Sequence, residues 1–119
     1  MRRYNDNTIT FRRFSNGDQK AWVYEKYDLA TAFETIYFWP GLEKCFGQVA
    51  KVLKPGGYFL ICNESDGTDA TGLKFEKIID GMKCHTVEEI ESALKNAGFS
   101  KVKSGHHKTK PWITVVAQK

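Results

Sequence analysis

The sequence lacks any apolar stretch approaching the roughly 20 residues that a membrane helix needs. Its first ten residues, MRRYNDNTIT, also lack the apolar centre of a signal peptide. These two absences favour a protein that remains in the cytoplasm and does not enter a membrane.

Cysteine and histidine are scarce, with three residues of each. The cysteines are widely spaced and form no CxxC pair: Cys45, Cys62 and Cys84. An odd number of separated cysteines argues against a disulfide framework and predicts reduced thiols. His106 and His107 are adjacent, so in a strand they would point to opposite faces, and we expect no metal site.

Acidic residues are absent after Glu91, whereas lysines and arginines are concentrated towards both ends of the chain, and the net charge is +4. A basic surface can bind nucleic acid, but a mild imbalance on strand edges more often serves solvation and protection against edge pairing. No strand interleaves aromatic with basic residues as a base-stacking platform does. We therefore expect no nucleic-acid partner.

The residues that are present can build one modest core, since 41% of them are apolar and 13% aromatic. We predict a single domain over residues 1–119, with an atypical N-terminal segment over residues 1–26. The weak alternation of TITFRRF, residues 8–14, predicts a strand that ends in the turn SNGD. Residues 27–33, YDLATAF, predict a second strand.

The clearest helix is predicted over residues 42–53, where apolar residues recur every three or four positions. Pro55-Gly56-Gly57 should then turn the chain. The run YFLIC, residues 58–62, is apolar on both sides and therefore predicts a central strand covered on both faces by helices.

The C-terminal half continues the alternation of helices and strands. A short helix is predicted at residues 75–82, and a capping box formed by Thr86 and Glu89 starts a longer helix that Gly98 ends. KVKSGHHK and WITVVAQK predict a closing hairpin with its turn at residues 109–111. The predicted fold class is therefore α/β, a mostly parallel sheet with a C-terminal antiparallel hairpin and flanking helices.

Three motifs in this order resemble a known family. Tyr27-Asp28-Leu29 starts a strand, LKPGG at residues 53–57 precedes the next strand, and L..AGF at residues 94–99 precedes the hairpin. The arrangement resembles the second half of class I methyltransferases dependent on S-adenosylmethionine, of the small-molecule type, over about residues 18–119. The resemblance implies a partial Rossmann-like fold, S-adenosylmethionine as cofactor and a small-molecule methyl acceptor.

The sequence departs from that family in its cofactor signature. No GxGxG turn occurs, although glycine is needed where backbone approaches the cofactor. Only 26 residues precede Tyr27, fewer than the roughly 30 of one βαβ unit. We therefore expect the C-terminal half of a methyltransferase that is inactive or nearly so on its own.

The missing first strand would leave the edge of the strand at residues 27–33 unpaired, which invites pairing with another chain. We therefore predict a homodimer or a swapped assembly. TITFRRF is a candidate to occupy the vacant edge. The alternative function is a noncatalytic interaction module that uses this edge and the basic termini.

Candidate site residues follow the strand ends, because open α/β sheets bind ligands beyond the carboxyl ends of their strands. The resemblance implies that Asp18 receives the adenine amino group and that backbone at Ala32 and Phe33 contacts the methionine end of the cofactor. Tyr37 is a further candidate for contact with the cofactor. The resemblance also implies that Tyr37 and Trp39 line the acceptor pocket. Asp18 as a turn residue, and the aromatic residues as caps of the sheet, remain open alternatives.

Three further polar residues are candidates for binding the methyl acceptor: Glu34, Asn63 and Glu64. Asn63 and Glu64 follow the second strand end, where they could orient an acceptor or remove its proton. Simple solvation of the loop is the alternative for these two residues. No catalytic residue can be named from the sequence.

Overall fold

The computed structural model describes residues 8–11 and 25–119. Within them, five strands form one sheet in the order β1-β2-β3-β5-β4. The strands are β1 Thr8–Phe11, β2 Tyr27–Phe33, β3 Leu53–Asn63, β4 Lys101–His106 and β5 Ile113–Gln118. The helices are α1 Leu42–Val52, α2 Ala70–Ile78 and α3 Val87–Asn96, with a 3₁₀ helix at Ile36–Phe38.

The sheet has a parallel part and an antiparallel part. β1, β2 and β3 pair in parallel, whereas β5 is antiparallel to β3 and β4 is antiparallel to β5. This arrangement confirms the predicted α/β class with a C-terminal hairpin. β1 lies beside β2, at the edge that was predicted to be vacant. The predicted turn at residues 15–18 lies outside the described residues.

Helix α1 packs on the sheet through the apolar stripe predicted from its periodicity. Pro40 and Gly41 precede it, and Gly41 has a φ of 77° that suits glycine. The helix buries one side of its surface through six residues: Leu42, Cys45, Phe46, Val49, Ala50 and Val52. Since fully burying one large apolar side chain stabilises a fold by about 1.5–3 kcal/mol, α1 is firmly held.

The KPGG segment forms a bulge inside β3, where a turn was predicted. Leu53 already pairs with Tyr27, and regular pairing resumes at Tyr58 opposite Leu29. Gly56 within the bulge has a φ of 84°, which a residue with a β-carbon adopts with difficulty.

The prediction that β3 is covered on both faces is wrong for the part of the chain that the structure describes. Phe59 and Ile61 are fully buried on the face that carries α1 and α3, whereas Tyr58 is 47% exposed on the other face. Val116 of β5 lies on that same face and is 36% exposed. Buried and exposed side chains alternate along β3 because α1 and α3 both pack on one side of the sheet.

Helix α2 begins earlier than predicted, at Ala70 instead of residue 75. Its only buried residue is Gly72, so no apolar stripe marks its position in the sequence. Helix α3 begins where the sequence predicts, because Thr86 and Glu89 form a reciprocal capping box.

Candidate active site

The carboxyl ends of β2 and β3 meet at one edge of the sheet, where Phe33 pairs with Cys62. Glu34 comes directly after β2, and its backbone N–H donates to the Cys62 carbonyl oxygen at 2.9 Å. Glu34 has a φ of 56°, a left-handed conformation that costs a non-glycine residue about 1–2 kcal/mol. Such strain persists where surrounding contacts fix the residue, and it is common at functional sites.

Tyr37 connects the two strand ends through its hydroxyl group. The hydroxyl donates to the Glu34 carboxylate, 3.1 Å from Oε1 and 3.2 Å from Oε2. It also accepts hydrogen bonds from the backbone N–H groups of Glu64, at 3.0 Å, and Ser65, at 3.1 Å. The Glu64 N–H is also shared with Glu34 Oε2. The four residues therefore hold one another in a single hydrogen-bonded cluster.

The environment of this cluster raises the pKa values of both acidic side chains. Burial raises the pKa of the Glu34 carboxyl, although the hydrogen bonds from Glu64 and Tyr37 oppose it. Burial also raises the pKa of Tyr37, and the negative charge of Glu34 raises it further. The Tyr37 phenol therefore remains protonated at neutral pH and acts as a hydrogen-bond donor to Glu34.

Two adjoining clefts open at this edge. The larger has a volume of about 580 Å³ and the smaller about 310 Å³, and Glu34, Glu64 and Trp112 line both. Phe75 and Met82 add apolar surface to the larger cleft.

The loop after β3 is fixed by a second group of hydrogen bonds. The Ser65 hydroxyl donates to Asp69 Oδ1 at 2.6 Å, and Asp69 Oδ2 accepts the Gly72 N–H at 2.7 Å as the N-cap of α2. Ser65 and Asp69 line the larger cleft, and the sequence interpretation missed both. The signal was available, since Asp in front of a helical segment is a preferred N-cap residue.

Trp112 was also missed as a site residue. It immediately precedes β5, and β5 begins opposite the end of β3, where Ile113 pairs with Asn63. An antiparallel neighbour of β3 starts at the edge where β3 ends, which is why Trp112 lies here. The sequence predicted the hairpin but not that it pairs with β3.

The structure brings together most of the predicted site residues. Phe33, Glu34, Asn63 and Glu64 line the smaller cleft, and Tyr37 lines the larger one. Asn63 is only 2% exposed, and neither atom of its amide group has a hydrogen-bond partner in the described structure.

Two of the predicted residues do not line the clefts, and the position of a third is not described. The side chain of Ala32 is fully buried in the core, which leaves only its backbone as a candidate contact. Asp18 lies outside the described residues. Trp39 was expected to line the acceptor pocket, but it is only 4% exposed and its ring stacks on Phe59 with centroids 6.3 Å apart. The structure therefore places Trp39 in the core, because the chain after the 3₁₀ helix returns to the face that carries α1.

A separate cleft, of about 960 Å³, lies between α1 and α3, away from the strand ends. Its lining includes Gly47, Gln48 and Asn96 and none of the residues at the strand ends. We favour the strand-end clefts as the functional site because ligands of open α/β sheets bind there.

Among the residues described, no three His, Cys, Asp or Glu side chains are grouped to hold a metal ion. The described helices include none that is long and apolar enough to span a membrane.

Comparison with known proteins shows what this chain is similar to. A family described as a methyltransferase domain matches residues 4–61. The sterol 24-C-methyltransferase of Candida albicans is 34% identical over 84 residues, which cover 63% of this chain and 22% of that protein. The chain thus spans about a fifth of the length of this curated relative.

Solved structures of methyltransferases share the fold. A methyltransferase of Thermotoga maritima, described as a possible histamine N-methyltransferase, superimposes with a TM-score of 0.68 at 19% identity. The match covers 81% of this chain and 57% of that one. Phosphoethanolamine N-methyltransferase 2 of Haemonchus contortus, solved with S-adenosyl-L-methionine, gives 0.66 at 15% identity and covers 81% and 34%.

The sequence match and the fold agree with the resemblance found in the motifs. Residues 4–61 are similar to a methyltransferase domain, and the described fold is shared with methyltransferases, one of them solved with S-adenosyl-L-methionine.

Proposed function

We propose that the strand-end clefts form the methyl-acceptor side of a methyltransferase site that uses S-adenosylmethionine. The observation that carries this proposal is the convergence of Glu34, Tyr37 and Glu64 at the carboxyl ends of two parallel strands. Ligands of open α/β sheets bind at such an edge. The proposed acceptor is a small molecule.

The residues at this edge fit one end of the cofactor. The proposed contacts for the methionine part are backbone at Ala32 and Phe33 and the side chain of Tyr37, whose hydroxyl group can donate and accept hydrogen bonds. Asp18 is proposed for the adenine amino group. When bound, the cofactor supplies the methyl group.

The acceptor would be held by Glu34, Asn63 and Glu64 on one side of the clefts. Methyl transfer requires mainly that the acceptor atom be aligned with the methyl carbon, so orientation by fixed side chains is the main contribution expected of the protein. An acceptor that must lose a proton could pass it to a carboxylate of Glu34 or Glu64.

We infer that the 119-residue chain binds the cofactor weakly by itself, because the sequence has no glycine-rich turn for the methionine and ribose parts. Isothermal titration calorimetry with S-adenosylmethionine tests this inference. The expected result is binding no tighter than millimolar, and saturable binding in the micromolar range would contradict it.

A second candidate function is a noncatalytic interaction module. The exposed apolar residues on the sheet face opposite α1 support it, among them Tyr58 and Val116. Retained binding of a protein partner by a variant that lacks the strand-end carboxylates would favour this candidate over the enzyme.

A further inference from the structure

The strand-end clefts combine negative charge with aromatic surface. Three carboxylate side chains line the larger cleft: Glu34, Glu64 and Asp69. Its described lining contains no lysine, arginine or histidine, although the chain as a whole carries a charge of +4. The local charge is therefore opposite to the net charge of the protein.

Apolar and aromatic side chains form the rest of the larger cleft. Phe75 of α2 and Trp112 before β5 are 45% and 42% exposed, so both keep surface available for a ligand. The ammonium group of Lys110 lies 5.5 Å from the centroid of the Trp112 ring. The indole thus already attracts one cation, as the faces of aromatic rings do.

Asn63 gives an independent indication of a ligand. Its side chain is buried, yet neither the amide oxygen nor the amide nitrogen has a hydrogen-bond partner among the described residues. Buried polar groups are nearly always hydrogen-bonded, so an unpartnered amide at a cleft indicates that something else supplies the partner. Asn63 lines the smaller cleft together with Glu34, Glu64 and Trp112.

We propose that these clefts bind a cationic amine with an apolar body, the ammonium group against Glu34 and Asn63 and the apolar body against Phe75 and Trp112. An ammonium group donates hydrogen bonds and carries positive charge, which suits carboxylates and an amide oxygen. A phosphate or carboxylate ligand would be repelled by the three acidic side chains. This inference rests on the proposed function, since the amine would be the methyl acceptor.

The amine can be tested by binding alone, without any cofactor. The 119-residue chain, labelled with ¹⁵N, is titrated with 2-phenylethylamine and with 2-phenylethanol, which share one apolar body and differ in charge. The indole N–H signal of Trp112 and the backbone signal of Glu64 report binding at the clefts. We expect the amine to bind at least about tenfold more tightly than the alcohol.

Three variants identify the groups responsible. Glu34→Gln should remove most of the tenfold preference while leaving the affinity for the alcohol nearly unchanged. Glu88→Gln, which removes one charge from an exposed position on α3, is the matched control and should keep the full preference. Trp112→Ala should weaken both probes by a similar factor, because it removes apolar surface and not charge.

Equal affinity for the two probes would overturn the proposal, as would a preference for the amine that survives Glu34→Gln. Because no cofactor is present, these outcomes concern only the class of acceptor. A ¹⁵N NMR titration with S-adenosylhomocysteine, followed at residues 33–37 and 63–65, tests the proposed function separately, so the two ideas fail independently.

Discussion

Tyr37 joins the segments that follow β2 and β3 through one hydroxyl group. Its hydroxyl, on a residue only 5% exposed, bonds the carboxylate that follows β2 and two amide groups that follow β3. A single oxygen atom therefore links the loops that follow the two strands.

Replacing Tyr37 with phenylalanine should destabilise the protein by about 1–3 kcal/mol, because two N–H groups lose an acceptor and Glu34 loses a donor. Urea denaturation measures the change. Tyr58→Phe removes the same atom from a ring that is 47% exposed, and it should change stability by less than about 0.5 kcal/mol. Equal effects of the two variants would contradict this role of Tyr37.

His106 and Asp66 form a pH-dependent contact between β4 and the loop after β3, with Nε2 and Oδ2 2.7 Å apart. The hydrogen bond to Asp66 raises the pKa of His106, and the His107 carbonyl adds to this effect. Burial acts to raise the pKa of Asp66, but hydrogen bonds from His106 and Thr68 outweigh it and lower the pKa to about 2.

The contribution of this pair to stability should be largest between pH 3.8 and 6.5, the ordinary pKa values of the two groups. The His106 part is lost as the pH rises through its raised pKa, and the Asp66 part is lost as the pH falls through about 2. Urea midpoints of the wild type and Asp66→Asn, measured across pH, should therefore differ most near pH 5.

An NMR titration provides the control for this prediction. Asp66→Asn should lower the pKa of His106 towards its ordinary value, while the pKa of His85, which burial lowers, should stay unchanged. An unchanged His106 titration in the variant would show that the contact does not form.

At the scale of elements, α1 and α2 are held in different ways. α1 buries an apolar stripe, whereas α2 buries only Gly72, which packs against the loop after β3. A β-carbon at position 72 would lie 2.4 Å from the Ser65 hydroxyl oxygen and 2.9 Å from Asp69 Oδ1. The lack of a side chain at this position therefore allows the α2 cap to form.

Gly72→Ala should destabilise the protein and displace the start of α2, since backbone or cap must move to relieve the contact. Gly47→Ala is the matched change inside α1, where a β-carbon meets nothing within 4 Å. It should stabilise the protein by about 0.5–1 kcal/mol, because alanine is favoured over glycine in a helix. Thermal denaturation of both variants checks the opposite signs, and a stabilising Gly72→Ala would refute the account of α2.

The same contrast explains which elements the sequence could predict. α1 and β5 have apolar periodicity, and α3 has a capping box, so each was predicted close to its observed position. α2 was placed five residues late because a helix that buries one glycine leaves no periodic signal.

The candidate site was predictable to a similar extent. Glu34 and Glu64 follow two buried strands, and the rule for strand ends located them. The role of Tyr37 as a hydrogen-bond centre was not visible, because it depends on how two loops meet. The prediction for Trp39 was wrong for a related reason. The sequence does not show on which side of the sheet an aromatic side chain in a loop will pack.

At the scale of the molecule, the sheet has one covered and one partly exposed face among the described residues. Leu60 and Val116 are paired neighbours on the exposed face, and Tyr58 lies on the same side. The edge next to β2 is occupied by β1, so it no longer supports the predicted dimer. The exposed face is the remaining reason to expect self-association.

The predicted dimer should therefore depend on that face. Light scattering over a wide concentration range should show association that Val116→Lys weakens, because the new charge would be desolvated in the interface. Thr109→Lys, in the exposed turn between β4 and β5, adds the same charge elsewhere and should have no effect. A monomer at every concentration would end the dimer prediction.

A cofactor-like ligand should contact the chain at the ends of β2 and β3, and one ¹⁵N NMR titration with S-adenosylhomocysteine measures this directly. We predict weak binding, with the largest chemical-shift changes at residues 33–37 and 63–65. Signals from Gly47, Gln48 and Asn96, in the separate cleft between α1 and α3, should remain unchanged. Changes concentrated in that cleft, with none at the strand ends, would contradict the assignment of the site.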